Sequence, residues 1–584
     1  MAITLYPNSK SVRPSVNITT DTDNLVGSST ETAKQLMLVG MANGGEPAKP
    51  YKITTYAQAK SIFRGGDLLD AIEVALSPSA TEHSGTIWAE RVGNATQATF
   101  KNNGLSITSK SYSVEANNIQ TSLVKNTLND TYNLSVNFDL DGHYKTYTNL
   151  GKIAGIYYTG SQAYAEVSIE TDKNVGDEKH TGFATKLVLK AGADKDSASL
   201  VHEFPLAQGQ YGKVNKLISD INSIAGFSAN YFYSGNKNIE TKYLDGIEAQ
   251  EISKDSTKPT YLTSLGGDIV LSLANEADEA ISAEYDPSLG EPEPYELANL
   301  TGGTSSELPP TSWIKEFRNL ATVPAYYLVP LTDDISIQQE ASAFCADRNR
   351  EADPRAVIVG GGYNDTLDYS INRASNLKSL DVRVAVNAIS GYRLMNNGTV
   401  QHLPAYLIAA QMGGLATGLD LGESITYKPL NLSDIDQKFT ADELDRLDEN
   451  GVIAVEYVRN RASQMFRVTN DITTARALGS KAPERTELGA GEAIDFLVVN
   501  LRAEIEDKFI GTSTSLTSAA DIKTCIISFL QQEQNTGIIQ DYNEADIHVV
   551  VNGERVDVQI TCQLSRAIKE VNIGIIFTDK QVIA

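Results

Sequence analysis

Three consecutive glycines, Gly360, Gly361 and Gly362, follow an apolar run and are the first residues whose types suggest chemistry. Glycines after a strand let backbone N–H groups approach a phosphate at the start of a helix. The triplet lacks the GxGxxG spacing of a dinucleotide site, and no Gly-Lys-Ser/Thr follows it. The pattern therefore favours a tight turn from strand to helix over a phosphate site.

Asp139 and Asp141, followed by Gly142, have the spacing that begins a calcium-binding loop. Such a loop also needs a third carboxylate and a bidentate glutamate at a fixed distance. Neither stands at the required position, so this segment is predicted to be a hairpin turn.

The six histidines show neither an HxxxH pair nor a cysteine at ligand spacing, so no zinc site is expected: His83, His143, His180, His202, His402 and His548. Ser424 lies in GESIT, not in a GxSxG nucleophile elbow, and nothing in the sequence orients His402 as its base. We therefore expect no catalytic residue, no metal, no cofactor and no enzymatic activity.

The elements that would have to position these residues alternate between short apolar strands and amphipathic helices. Strands are predicted at 35–42, 87–92, 325–331, 356–362 and 382–388, and helices at 55–63, 67–76, 333–350, 366–377 and 404–417. Thr440 and Glu443 have the spacing of a capping box, which predicts one more helix that ends near Gly451. This alternation is typical of a mostly parallel sheet covered on both faces.

Residues 96–305 separate the two α/β stretches and differ from them in composition. Asn, Thr, Ser and Tyr are frequent there, the runs are strand-like, and only 211–224 has a helical pattern. The stretch 276–296 contains eight acidic residues, no basic residue and three prolines, which predicts an exposed linker. We expect a peripheral β-rich insertion that splits the α/β core.

The last hundred residues predict a helix–helix–hairpin–strand module. Apolar residues at three-and-four spacing indicate helices at 492–509 and 521–534. Asn552 and Gly553 then form a hairpin turn signal between two alternating runs, because this pair tolerates the positive φ of a primed turn. One more strand is predicted at 570–578. Such a module has at least one free sheet edge.

Both ends of the chain contain a strand-like segment outside the globular elements. Val12, Pro14, Val16 and Ile18 alternate with polar residues near the N-terminus, and Val571, Ile573, Ile575 and Phe577 alternate near the C-terminus. Two such segments suggest strand exchange between copies of the chain, although both could instead fold back on their own subunit.

Length and charge narrow the class of protein. A chain of 584 residues predicts two to four domains. Its net charge of −25 argues against a role in coating nucleic acid, and no apolar run is long enough to span a bilayer. The N-terminus has no signal-peptide pattern, and the distant cysteines Cys345, Cys525 and Cys562 suit buried thiols in a reducing compartment.

Several stretches, in order and spacing, resemble the tail sheath proteins of contractile-tailed bacteriophages. They are KITTYAQAKSIFRGGDLLDAIEVAL with IWAERV, LTGGTSSELPPTSWIKEFRNL, LPAYLIAAQMGGLATGLDLGESITYKPL, FTADELDRLDENGVIAVEY, FRVTNDITT, FLVVNLRAEIEDKFIGTSTS and IKTCIISFLQQEQNTGIIQDY. The resemblance covers about 26–95 and 301–584, more than half of the chain, and rests on the ordered set.

The resemblance implies an α/β and α+β multidomain protein whose split α/β core is subtilisin-like without a catalytic triad. The implied domains are a linking arm at 1–25, the core at 26–95 and 306–485, inserted outer domains at 96–305, and the C-terminal module at 486–584. The implied protein is a structural subunit that polymerises helically, as stacked hexameric rings, around a tail tube. Contraction of this sheath drives the tube through the host cell envelope.

The implied partners are other copies of the chain, the tail tube protein, and baseplate and neck or terminator proteins, with no nucleic acid and no direct membrane insertion. The implied location is the virion, after assembly in the host cytoplasm. Neighbouring subunits would be linked by strand exchange through the two terminal segments and a valine-rich hairpin: Val12, Pro14, Val16, Ile18, Val549, Val551, Val556, Val558, Val571, Ile573, Ile575 and Phe577.

The charged end of the first module helix is a candidate contact with the tube: Glu504, Glu506, Asp507 and Lys508. A solvated helix end explains these residues equally well. Three other functions stay open at this point: a sheath from a related contractile injection or killing particle, an α/β enzyme with a β-rich substrate-binding insertion, and a surface adhesin.

Overall fold

The computed structural model describes residues 34–569, apart from 140–141, 174–181, 207–210, 234–236, 253–258, 307–312, 352, 364, 460–463, 513–517, 553–554 and 568. The chain divides into two compact units. The insertion unit contains 94–306 with 43–46, and the core unit contains the remaining described residues.

The core unit begins with three strands and two helices: β1 (Leu36–Gly40), β2 (Pro50–Ile53), α1 (Tyr56–Phe63), α2 (Asp67–Leu76) and β3 (Ile87–Arg91). Thr55 caps α1, because its hydroxyl accepts a hydrogen bond from the Gln58 backbone N–H at 3.2 Å. The two predicted strands and two predicted helices of this stretch are present, whereas β2, which pairs antiparallel with β3, was not predicted.

The described residues of the insertion unit then form fifteen strands and two helices. They are β4 (Asn94–Asn102), β5 (Leu105–Tyr112), β6 (Gln120–Asn126), β7 (Thr131–Phe138), β8 (His143–Leu150), β9 (Lys152–Tyr158), β10 (Tyr164–Thr171), β11 (Ala184–Gly192), β12 (Ser199–Pro205), α3 (Val214–Ile221), β13 (Phe227–Tyr231), β14 (Ile247–Glu251), β15 (Thr260–Thr263), α4 (Leu265–Asn275), β16 (Ile281–Tyr285), β17 (Tyr295–Asn299) and β18 (Thr304–Ser306).

The core unit then resumes and continues into the C-terminal module. Its elements are α5 (Trp313–Asn319), β19 (Tyr327–Pro330), α6 (Ile335–Arg350), β20 (Ala356–Gly360), α7 (Leu367–Asn376), β21 (Arg383–Asn387), β22 (Gly391–Leu394), β23 (Val400–Leu403), α8 (Ala405–Gly418), β24 (Pro429–Leu430), β25 (Asp434–Ile435), α9 (Ala441–Glu449), β26 (Val452–Ile453), β27 (Val455–Arg459), β28 (Gln464–Val468), α10 (Pro483–Thr486), α11 (Leu488–Phe509), α12 (Ala519–Thr536), β29 (Ile539–Tyr542), β30 (His548–Asn552), β31 (Arg555–Gln559) and β32 (Cys562–Leu564).

A seven-stranded sheet in the order β2-β3-β1-β19-β20-β21-β26 forms the centre of the core unit. All neighbouring strands in it are parallel except β2 and β3. Every residue of β1, β20 and β21 is buried, as expected for strands covered on both faces. The predicted parallel sheet is therefore present. It combines β1, β2 and β3, which precede the insertion in sequence, with β19, β20, β21 and β26, which follow it.

Where the structure describes it, the insertion unit has four antiparallel sheets and two separate apolar clusters. Two expectations for this unit were wrong. The described residues contain a second helix, α4, whose Gly266 and Gly267 lie against the side chains of Tyr285 and Tyr243, so that larger residues would collide there. These glycines weakened the helical pattern in the sequence because glycine lowers helix propensity.

The acidic stretch 276–296 is also not a linker. Ile281–Tyr285 pairs along its whole length with β5, and Tyr295 is in register with Leu123 of β6. The neighbouring strands satisfy the backbone hydrogen bonds, while acidic side chains such as Glu284 and Glu296 remain exposed to water. Charge along the sequence was therefore a poor guide to the backbone.

A buried pair of carboxyl groups makes the stability of the core unit sensitive to pH. Glu90 of β3 is fully buried, and burial together with the neighbouring Glu316 carboxyl raises the pKa of Glu90 to about 8. The folded chain therefore binds a proton that the unfolded chain releases in the window from 4.5 to about 8. Stability should fall as the pH rises through this window.

Glu90→Gln is expected to flatten this dependence, because the amide keeps the shape of the side chain and has no charge to bury. The measurement is the urea midpoint of unfolding at several values between pH 5 and pH 9. Glu449→Gln, at an exposed position on α9, is the matched control. An equal slope for the Glu90→Gln variant and the wild type would contradict the prediction.

Candidate assembly surfaces in the C-terminal module

Two long helices form the base of the C-terminal module. α11 presents Ile494, Leu497, Val498 and Leu501 to a small apolar cluster, and α12 contributes Ile522, Ile526 and Leu530. α11 begins at Leu488, four residues before the predicted start at 492, because the small residues that precede Glu492 pack closely against the rest of the core unit. α12 begins with a capping box of Ser518 and Asp521 and ends at Gly537 in the left-handed conformation.

The hairpin β30–β31 lies beyond α12 and has valines on one face. Val549 is in register with Val558, and Val551 with Val556, so these four side chains share one face of the hairpin. Val549 packs against the module's apolar cluster, whereas Val551, Val556 and Val558 are 37%, 38% and 38% exposed. The outer part of this valine face is thus an apolar surface open to water.

Two small sheets of the module have edges that no described strand pairs with. Among the described residues, β30 pairs only with β31, and β29 pairs only with β32. The alternating run 555–564, which the sequence predicts as one strand after the hairpin turn, forms two strands, since Arg555–Gln559 and Cys562–Leu564 belong to different sheets. Backbone groups along an open edge are able to pair with another chain.

The two terminal segments predicted to exchange strands lie outside the described residues. This applies to Val12, Pro14, Val16 and Ile18 and to Val571, Ile573, Ile575 and Phe577. Their pairing therefore remains a prediction.

The charged end of α11 is largely engaged in ion pairs along the helix. Glu504 pairs with Lys508, and Arg502 Nε lies 2.8 Å from Glu506 Oε1. The Glu504 carboxylate, by accepting a hydrogen bond, raises the pKa of Lys508. Asp507 is exposed. Exposed pairs of this kind are screened by water and contribute little to stability, so the surface is polar and weakly constrained.

A buried ion pair attaches α11 to the start of β1. Lys34 Nζ lies 2.7 Å from Glu492 Oε1, and both side chains are 3% exposed. Tyr327 of β19 donates a hydrogen bond from its hydroxyl to Glu492 Oε2 at 2.6 Å. Burial, and then the Glu492 carboxylate, raise the pKa of Tyr327 well above its ordinary value.

A second buried group attaches α11 one helical turn further along. Arg383 of β21 forms an ion pair with Asp495. Tyr326 donates to Asp495 Oδ2 at 2.8 Å and accepts from Arg383 Nη2 at 3.0 Å. Because buried charges are tolerated only when paired and hydrogen-bonded, these contacts fix α11 to the parallel sheet.

Sequence patterns did not reveal these attachment residues. Lys34, Tyr326, Tyr327 and Arg383 lie far from α11 in sequence, and a single chain shows no pairing between distant residues. One signal was available: acidic residues on the apolar half of a helix need a buried cation, and Glu492 and Asp495 occupy such positions.

Ser424 and His402, the possible nucleophile and base in the sequence, are hydrogen-bonded to other residues and not to each other. Ser424 donates a hydrogen bond to Thr426 at 2.7 Å, and His402 Nε2 lies 2.7 Å from Asp436 Oδ2. Ser390, which is 3% exposed, donates to the same Asp436 oxygen. In a hydrolytic triad the imidazole lies between the hydroxyl and the carboxylate. Here the carboxylate lies between them, so this cluster does not activate Ser390.

The glycine triplet and the aspartate turn are structural. The Gly361 and Gly362 carbonyls accept hydrogen bonds from Tyr406 and Ala405 at the start of α8, at 3.0 and 3.1 Å. These first N–H groups of α8 are therefore already satisfied. Gly142 donates to the Asp139 carbonyl at 3.1 Å, between the paired strands β7 and β8, as expected for a hairpin, while Asp141 lies outside the described residues.

Within the described part of the chain, no group of three or more His, Cys, Asp or Glu residues is placed to hold a metal ion. No helix there combines the length and apolar character needed to cross a membrane.

Comparison with known proteins gives relatives over almost the whole chain. The chain is 40% identical over 579 residues to a protein of Enterococcus phage phiEF24C that is described provisionally as a tail sheath protein, with 99% of each chain covered. It is 36% identical over 599 residues to the tail sheath protein of Staphylococcus phage Twort, again with 99% of each covered. No protein-family model matches the chain.

Two solved structures share the fold. The sheath tail protein of Desulfitobacterium hafniense matches with a TM-score of 0.55 at 13% identity, covering 95% of this chain and 97% of that one. A sheath tail protein of Listeria innocua matches with a TM-score of 0.53 at 12% identity, covering 92% and 94%.

Proposed function

This chain belongs to the tail sheath protein family of bacteriophages, and on that premise we propose that it polymerises helically around a tail tube and contracts. The observation that carries the proposal is the identity of 36% to the Twort tail sheath protein over 99% of both chains. As a member of this family, the chain is a structural component of the virion. Contraction would drive the tube through the host cell envelope.

The proposed assembly is a stack of hexameric rings formed in the host cytoplasm. Its partners are other copies of the chain, the tail tube protein, and baseplate and neck proteins, with no nucleic acid and no direct membrane insertion. The proposed core is subtilisin-like without a triad, residues 96–305 form outer domains, and the chain has no enzymatic activity. The engaged state of Ser390, His402 and Ser424 supports the last point.

We further propose that neighbouring subunits exchange strands at the C-terminal module. The edges of β29–β32 and β30–β31 have no partner strand among the described residues, which supports this, since an added strand satisfies backbone groups at such an edge. The exposed valine face gives the incoming segment an apolar surface. Attachment of α11 through buried ion pairs keeps this surface at a fixed position in its own subunit.

The valine face provides a sharp test of the proposal. Val551→Asp should leave the monomer folded, because the side chain is 37% exposed, and should prevent tubes because a charge would be buried between copies. Negative-stain electron microscopy of the purified chain is the measurement, with hollow tubes expected for the wild type.

Val550→Asp is the matched control, since Val550 is 52% exposed on the opposite face of the same strand. Tubes formed by Val551→Asp as readily as by the control would remove the valine face from the interface. A wild type that forms no tubes under any condition would contradict the proposed polymer itself.

The charged end of α11 is proposed to face the tube. Weak, paired surface charges suit a sheath that has to slide on its tube, because each contact costs little to break. Hydrogen exchange is expected to slow in 492–510 when tube protein is added to the sheath. Exchange that is equally fast with and without the tube would assign these residues to a solvated helix end.

A further inference from the structure

The loop 419–428, which we call the socket loop, follows α8 and contacts both the parallel core and the C-terminal module. Leu421 is 3% exposed and belongs to the apolar cluster of the module, which also contains Ala493 and Ile494. A Cβ at Gly489 would lie 2.9 Å from the Gly422 carbonyl oxygen, so the first turn of α11 approaches the loop closely. The socket loop is therefore packed between two parts of the core unit.

Lys34, which we call the root of the N-terminal segment, is buried and is held at the socket loop. Lys34 is the first described residue, and its Nζ lies 3.0 Å from the Ala416 carbonyl oxygen and 2.8 Å from that of Asp420. The third partner of the ammonium group is Glu492 at 2.7 Å. Glu492 Oε1 also accepts from the Gly422 N–H at 3.3 Å, which links the lysine to the loop backbone.

Residues 566–567 and 569, which we call the root of the C-terminal segment, are held at the other end of the same loop through Lys569. Lys569 is the last described residue, and its Nζ lies 3.0 Å from Thr426 Oγ1 and 2.8 Å from Asn470 Oδ1. It also pairs with Asp471, whose side chain is 1% exposed. Three residues earlier, Arg566 forms an ion pair of 3.2 Å with Glu487.

The two roots also meet on one helix. Glu487 is the N-cap of α11 and Glu492 lies in its first turns, a separation of about 7.5 Å along a helix with a rise of 1.5 Å per residue. Lys34 and Lys569, the two ends of the described chain, are therefore both tied to the socket loop and to the start of α11 or its neighbours.

We propose that the socket loop couples the roots of the two terminal segments, so that loosening one root loosens the other. The inference rests on the proposed function, in which both segments join neighbouring subunits. A force applied to either segment would then be transmitted to the core unit through the paired charges and the socket loop. The two linkers of each subunit would respond as one element.

Hydrogen exchange of the monomer tests the coupling without relying on tubes. The double variant Lys34→Met/Glu492→Leu removes one buried pair without leaving a lone charge, which limits the risk of unfolding. We expect the amides of 562–567, at the opposite root, to exchange about tenfold faster while β20 and β21 stay protected. Unchanged exchange at 562–567 in this folded variant would overturn the coupling.

Lys569→Met examines the coupling from the other side, at a side chain that is 29% exposed. The Gly422 amide, which donates to Glu492, is then expected to exchange faster; an unchanged rate would also overturn the proposal. Lys438→Met, which breaks the exposed Lys438–Asp434 pair away from the socket loop, should change neither rate. Absence of tubes from the wild type would contradict the proposed function but leave these rates measurable.

Discussion

Deletion of residues 2–20 is expected to abolish polymerisation while leaving a soluble, cooperatively folded monomer. The described fold does not need this segment, because β1 already pairs with β3 on one side and β19 on the other. An exchanged strand of this length would form about four to six backbone hydrogen bonds worth roughly 0.5–1.5 kcal/mol each. Loss of such a link at every subunit should shift assembly from tubes to monomers, as measured by sedimentation and electron microscopy.

Point substitutions show whether assembly requires the alternating apolar residues of each terminal segment or only the presence of the segment. Val16→Asp places a charge on the proposed apolar side and should act like the deletion, whereas Asn17→Asp on the alternate side is the control. Ile573→Pro and Ile575→Asp should block tubes from the other end of the chain. Polymerisation that survives the deletion would show that the N-terminal segment is not a linker. Unfolding of the Ile573→Pro monomer would assign the last strand to its own subunit.

Replacement of Arg383 by Met is expected to produce the largest loss of stability among single substitutions at the base of the module. It leaves the Asp495 carboxylate, which is 4% exposed in the pair, without its cation. Removing one partner of a buried pair costs about 3–5 kcal/mol. The measurement is the urea midpoint for the core unit, followed by hydrogen exchange in α11.

The double variant Arg383→Met/Asp495→Leu is the control for this effect. Two apolar residues of similar volume leave no charge to desolvate, so most of the lost stability should return. A double variant as unstable as the single one would show that packing around Arg383, and not the unpaired carboxylate, causes the loss.

The predicted effects of substitutions differ between the contacts of α11 with its own subunit and the contacts between subunits. Contacts of α11 with the parallel sheet are buried and charged, so their loss destabilises the subunit. Contacts between subunits are proposed to use strands and an exposed apolar face, so their loss prevents assembly without unfolding. This division would let linked sheath subunits reorient relative to one another while the core of each stays intact.

Local patterns in the sequence were sufficient for most helices and strands of the core unit. The helix predicted at 67–76 is α2 (Asp67–Leu76), and the capping box of Thr440 and Glu443 starts α9 as expected. These elements were predictable because helix period, capping and turn chemistry depend on residues a few positions apart. The family resemblance rests on the same local stretches, taken in order along the chain.

The tertiary structure alone decided which distant residues meet. Strands formed in the acidic stretch 276–296 because β5 and β6 offered backbone partners. In α4, Gly266 and Gly267 lie close to tyrosine side chains, a contact that helix propensity does not register. Lys34 contacts Glu492, which lies several hundred positions away in sequence. Arg383 contacts Asp495, which lies about a hundred positions away. Such contacts depend on burial and desolvation in the folded chain, and spacing along one sequence carries no information about either.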